Sequence, residues 1–150
     1  MKKRQNPTVT LRKMNLSDYD SVLSLWNDGD IPYRPQGRDS RTNIAQQLKQ
    51  PTSYFLVAET GKKIIAAVVG THDGRKGWIN RLVVATAFRQ KGIARRLVKA
   101  VEQHFTSIGI DIVACLIEDW NTTSMQVFEQ LGYTKHPDIL YYSKRKSPKT

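Results

Sequence analysis

Arg89-Gln90-Lys91-Gly92-Ile93-Ala94-Arg95-Arg96 is the stretch whose residue types can do chemistry, and that chemistry is anion binding. It joins a strand pattern to the start of the clearest helical pattern in the chain. The first turn of a helix has about four backbone N–H groups without internal partners and about half a positive charge, so a phosphate there gains hydrogen bonds and field together. Gly92 lets a ligand approach the backbone, and Ala94 is small for the same reason. Arg89, Lys91, Arg95, Arg96 and Lys99 surround the place with cations. A dinucleotide fingerprint needs three glycines where this loop has one, and no Gly-Lys-Ser/Thr is present, so both of those phosphate loops are set aside.

Other reactive residue types offer less. Cys115, the one cysteine, lies in the apolar run Ile112 to Ile117 and reads as a small buried filler that cannot form an internal disulfide. His72, His104 and His136 are scattered, with no second ligand at metal-site spacing, so no metal is expected. The net charge of +11 invites a nucleic-acid reading, but Lys2, Lys3, Arg4, Lys144, Arg145, Lys146 and Lys149 sit at the two ends. Removing these seven from +11 leaves +4 for the body. Segments 1–6 and 144–150 read as flexible basic termini, without interleaved aromatics to stack bases, which disfavours a nucleic-acid partner.

The elements that must position the loop follow from periodicity. One domain spanning 1–150 is expected from length and composition. The longest apolar run, Ile64 to Val69, is far short of the ~18 residues of a membrane span, and no apolar region follows the basic start, so a cytoplasmic protein is expected. Thr8 to Met14 reads as a strand. A helix with Val22, Leu25 and Trp26 inward follows and ends near Asp28-Gly29. A second helix starts at Asp39-Ser40 and stops before Pro51. Tyr54 to Glu59 and Ile64 to Thr71 form a hairpin, and Trp78 to Val84 a fourth strand. Gly92 to Ser107 places Leu97, Val98, Val101 and Phe105 on one helical face, with Gly109 as the stop. Ile110 to Ile117 reads as a strand buried on both faces, parallel to the fourth. Thr122 to Leu131 is a last helix, and Tyr133 to Lys135 with Ile139 to Lys144 a closing strand pair.

In this context the loop resembles the pyrophosphate loop of the GNAT N-acetyltransferase superfamily, Arg/Gln-x-x-Gly-x-Gly/Ala after a strand ending in Leu-x-Val, here Leu82-Val83-Val84 and Arg89 to Ala94. A second family pattern lies in register: Asn121, a small residue at Ser124, an aromatic at Phe128, then Gly132-Tyr133. The order of elements agrees over nearly the whole chain. The resemblance implies a mixed α/β, three-layer fold. Its mostly antiparallel sheet has six to seven strands with strands four and five a splayed parallel pair, and there are about four helices.

The resemblance also implies acetyl-coenzyme A as co-substrate and a primary amine, of a small molecule or a protein, as acceptor. The backbone of Leu82, Val83 and Val84 would pair with the pantetheine arm as an added strand. The N–H groups from Gln90 through Lys91, Gly92 and Ile93 to Ala94 would hold the pyrophosphate, with Arg89 and Lys91 adding charge. Asn121 would bond the arm near the thioester, and as residue type and position it also suits a helix cap. A homodimer is compatible with the sequence and not specified by it.

An amine must be neutral to attack. A lysine of pKa ~10.4 is neutral in about one molecule in a thousand at neutral pH, an α-amino group of pKa ~7.7 in about one in ten. The family's common glutamate base has Asn80 at its position here, and the common tyrosine acid has Phe128. Asp30, Glu118 and Asp119 are the candidate replacement bases, with Tyr33 or Tyr141 as donor, because their segments border the expected acceptor groove. Each residue has an ordinary alternative: a turn for Asp30, a solvated strand end for Glu118 and Asp119, half-buried packing for the tyrosines. Loss of the acid costs about ten- to a hundredfold, since a thiolate of pKa ~8.5 is a tolerable leaving group. A coenzyme-A-binding sensor without catalysis is the alternative that these two substitutions raise, and a nucleic-acid module using the basic ends is a third.

Overall fold

The computed structural model describes residues 8–150. Five strands, β1 (Val9–Lys13), β2 (Ser53–Thr60), β3 (Lys63–His72), β4 (Gly77–Val84) and β5 (Val113–Ala114), lie in chain order across one sheet. The first four are antiparallel neighbours, and β5 runs parallel to β4. Four helices, α1 (Tyr19–Asp28), α2 (Arg41–Leu48), α3 (Ile93–Ser107) and α4 (Thr122–Gln130), complete the fold.

Period-2 alternation sorts the strand side chains to two faces. Leu56, Ala58, Ala66, Val68 and Val84 pack with Leu97, Val98, Val101 and Phe105 of α3 and with Phe128 of α4. Phe55, Val57, Ala67 and Val83 pack with Val22, Leu25 and Trp26 of α1 and Ile44 of α2. The result is helix, sheet, helix in three layers. Gly77 opens β4 because α3 passes so close that a Cβ there would meet the Phe105 ring at 2.5 Å. The helix limits agree with their punctuation: Ser40 caps α2 by accepting from the Asn43 N–H at 3.2 Å, and Gly109 follows α3 at φ 81°.

The far edge of the sheet departs from expectation. Among the described residues there are five strands, not six to seven, and β5 covers two residues of the expected Ile110–Ile117. Tyr133–Lys135 and Ile139–Lys144 form no strands. The physical reason is cover: Ile112 and Leu116 are 60% and 50% exposed, so the apolar run is not sandwiched between layers. Residues 134–150 lie on the surface, and the last turn doubles back so that Lys149 touches Gly37. The basic segment 1–6 lies outside the described residues.

Candidate active site

β4 and β5 are joined only at their beginnings, Gly77 to Val113 and Trp78 to Ala114, with the Gly77 N–H donating to Ile112 O at 2.9 Å. Beyond Trp78 the two diverge. Asn80 stands at the branch point, where its side-chain oxygen accepts the Leu116 N–H at 3.2 Å. A cavity of about 560 Å³ fills the opening, lined by Asn80 and Leu82 from β4, Ile117 and Glu118 after β5, and Asn121, Ser124 and Phe128 from the start and core of α4. On the α1–α2 side the same cavity reaches Trp26, Ile31, Arg38, Asp39 and Arg81.

β4 carries a bulge at this point. Ala67 faces Val83 and Val69 faces Asn80, so Arg81 and Leu82 together oppose Val68, and Arg81 adopts φ 52°. The bulge aims the Arg81 side chain at the α1–α2 layer. Its guanidinium lies 4.5 Å from the Trp26 ring centre and grips both oxygens of Asp39 at 2.6 and 2.8 Å. Asp39 is almost wholly buried, accepts a further bond from the Arg34 N–H at 2.7 Å, and offers its carbonyl to the Tyr19 hydroxyl at 2.7 Å.

At the other end of β4 the backbone remains open. The Ala85 N–H donates to Ile65 O at 2.8 Å, so by alternation the peptide groups of Val84 turn away from β3 toward the opening. There the Val84 carbonyl accepts the Arg89 Nε–H at 3.0 Å. A short turn, Thr86–Phe88, leads to Gln90 at φ 60° and Gly92 at φ 76°, and α3 begins. The first intrahelical bond runs from Arg96 N–H to Gly92 O. The N–H groups of Gly92, Ile93, Ala94 and Arg95 thus have no partner within the helix, and no side chain caps it. A Cβ on Gly92 would meet no atom within 4 Å, so the space before these donors is open. The left-handed Gly92 followed by helical Ile93 makes adjacent N–H groups converge, a concavity suited to phosphate oxygens. Lys91, 5.6 Å from the Phe88 ring centre, and exposed Arg95 and Arg96 border it. This donor set fits a diphosphate.

The Acetyltransferase (GNAT) family model matches residues 19–133. The chain belongs to the GNAT acetyltransferase family. Solved structures agree in fold. An aminoglycoside acetyltransferase, meta-AAC0020, from an uncultured soil metagenomic sample is similar at 16% identity, over 93% of this chain and 97% of that one, with TM-score 0.77. Aminoglycoside N-acetyltransferase AAC(6')-Iy in complex with CoA is 20% identical over 95% and 99%, with TM-score 0.77. The PaiA N-acetyltransferase of Thermoplasma acidophilum in complex with coenzyme A is 14% identical over 83% and 88%, with TM-score 0.72.

In this GNAT chain the second family pattern builds the wall of the opening. Asn121 caps α4 by accepting the Ser124 N–H at 3.1 Å. Phe128 is buried and meets the Tyr133 ring edge-on, with centres 4.9 Å apart. The Tyr133 hydroxyl donates to Glu102 at 3.0 Å, and burial, followed by the Glu102 charge, pushes its pKa up. Tyr133 is therefore engaged as a tie between α3 and the chain after α4.

Of the acid–base candidates, Glu118 and Tyr141 line the cavity. Asp30 sits exposed at φ 55° after α1, Tyr33 packs beside Trp26 with ring centres 6.0 Å apart, and Asp119 is exposed; none of these three is among the lining residues. Cys115 is half-buried, and burial raises its thiol pKa to about 11. Among the described residues there is no group of three or more side chains suited to a metal ion, and no helix is long and apolar enough to cross a membrane. Arg81, Asp39 and Arg38 escaped sequence reasoning as site residues; a charged residue interrupting the apolar end of β4 was the available signal.

Proposed function

We propose that the protein transfers the acetyl group of acetyl-coenzyme A to a primary amine. The observation that carries this reading is the pairing of an open β4 edge with the uncapped amides of α3 one short turn later. The diphosphate rests on the N–H groups of Gly92 to Arg95, and the pantetheine arm lies along Leu82 to Val84 in place of the missing neighbour strand. The thioester then lies at the branch, between β4 and Asn121.

The amine enters from the Trp26, Arg38 and Glu118 side. Its nitrogen attacks the carbonyl carbon, the C–S bond breaks with its electron pair going to sulfur so that coenzyme A leaves as a thiolate protonated by water, and the amine proton leaves to water or to Glu118. The Val84 N–H, turned to the same edge as its carbonyl, stabilises charge on the carbonyl oxygen, and alignment in the cavity supplies the remaining advantage. Asn80 is occupied with the Leu116 N–H and has no basic lone pair, so the rate depends on how much of the acceptor is already neutral. Small-molecule amines and protein α-amino groups both suit this chemistry.

The test is release of thiol from acetyl-coenzyme A across an amine panel, followed with a thiol-reactive dye. Release that depends on an amine supports transfer. Binding of coenzyme A by calorimetry with no release for any amine would instead support a sensor of the coenzyme, the reading that Asn80 and buried Phe128 favour.

A further inference from the structure

The charges that line the acceptor side of the cavity are unequal. Arg38, Arg81 and Arg145 face it with Asp39 and Glu118. Asp39 has no capacity left for a ligand ammonium: Arg81 takes both of its oxygens, the Arg34 N–H shares one, and Arg38 Nε stands 3.8 Å away. Arg34 adds another cation to this corner, and its Nε is buried without a hydrogen-bond partner among the described residues. Arg145 donates to Thr150 O at 3.1 Å. Arg38 is left with its side chain 56% exposed at the mouth and no closer anion than the saturated Asp39. Burial, then the charge of Arg81, lower its pKa against the opposing charge of Asp39, and Arg145 adds to the lowering, so the like charges are felt there. An anion would relieve that arrangement, and a second ammonium would aggravate it.

We infer that the acceptor is a small amine that also carries an anionic group, a carboxylate or a phosphate, which Arg38 binds while the amino group points toward Glu118 and the branch of β4 and β5. This rests on the acetyltransferase reading above and adds the class of acceptor. Polyamines and other polycations are poor acceptors, because among the described lining residues Glu118 is the one acid not already held by an arginine. The long-range field acts the same way, since the net charge of +11 repels polycations before contact.

The test compares free L-amino acids and aminoalkyl phosphates with the matching amino acid amides, and with spermidine and an aminoglycoside, in the thiol-release assay. The amides have the less basic amino groups and are the more reactive on intrinsic grounds, so a preference for the acids reports recognition. The expected result is kcat/KM at least about tenfold higher for acid than for amide, the scale of one charge-assisted hydrogen bond. The acid and phosphate arms distinguish the two anions. Arg38→Gln should raise KM for the anionic amine about tenfold, leave kcat within about twofold and collapse the acid-to-amide ratio, while coenzyme A affinity by calorimetry is unchanged. Amides or polycations used as well as the acids, or an unchanged ratio in Arg38→Gln, overturns the inference and leaves acetyl transfer standing. No thiol release with any amine, despite coenzyme A binding, overturns both.

Discussion

Arg81 reaches across 42 residues of sequence to close on Asp39 with two bonds of 2.6 and 2.8 Å, and it does so from a left-handed backbone position inside a strand. A non-glycine residue at such a φ costs about 1–2 kcal/mol, so the ion pair and the Trp26 stacking must hold it there. Removing one partner from a buried, hydrogen-bonded pair strands the other charge. Asp39→Ala and Arg81→Met should each lower stability by about 3–5 kcal/mol in urea denaturation. Arg81→Lys loses the two-pronged geometry and should fall between these variants and the parent. A loss below about 0.5 kcal/mol for Asp39→Ala would show that the pair is not holding the bulge.

Gly92 separates two effects. Gly92→Ala should cost about 1 kcal/mol, because a Cβ is strained at φ 76° although it touches nothing. Gly92→Glu places a like charge before the α3 amides and should weaken coenzyme A binding about a hundredfold by calorimetry. Equal affinities for Gly92→Glu and the parent would remove the diphosphate from this loop.

Asp18 governs part of the acid response. Both of its oxygens accept from Arg12, at 2.7 and 2.8 Å, which holds its carboxyl below the usual range; burial opposes this, and the Asn15 N–H at 2.9 Å adds to it. A carboxylate with a lowered folded pKa contributes stability in full above its unfolded value, about 3.9, and loses it as pH falls toward the folded value. Asp18→Asn should be less stable than the parent by roughly 1–3 kcal/mol at pH 6, with the gap narrowing toward pH 3. Urea midpoints measured at the two pH values check this, and a gap that stays constant would contradict it.

Cys115 should be a slow thiol. With its pKa raised from 9.0 to about 11 by burial, its thiolate fraction at neutral pH lies about a hundredfold below that of an exposed cysteine. Alkylation by iodoacetamide in the folded protein should be slower than in urea by about tenfold or more, since the higher basicity of the thiolate offsets part of the loss in its population. Comparable rates would show that the site opens freely.

Sequence carried the regular elements well where one local rule decided them. The Leu97, Val98, Val101 and Phe105 stripe, the Ser40 cap and the Gly109 stop each set a helix boundary without reference to distant residues. The turn into α3 with its uncapped amides was legible for the same reason, since Gly92 and the helix start adjoin in sequence. The edge of the sheet was not. An apolar run such as Ile110–Ile117 looks the same whether it is sandwiched or merely leaves the sheet early, and only tertiary cover distinguishes the two. Arg81 marks a charge within the apolar end of β4, but nothing local points to the bulge or to Asp39 as its partner, because a long-range pair has no periodicity. The acceptor side depends on such pairs, which is why Asp30 and Tyr33 were named while Arg38 was not.

A sheet that parts from its last strand after two residue pairs leaves the rest of the β4 edge without a neighbouring strand among the described residues, and on it the Val84 carbonyl is met only by the Arg89 side chain. Such an edge is a template for another polypeptide, and ordinary proteins hide it. In the binding mode proposed above the co-substrate itself is the cover, so occupancy would guard against self-association as well as supply acetyl groups. Concentrated protein should scatter more light on warming when free than when saturated with coenzyme A, and the difference should vanish in Gly92→Glu.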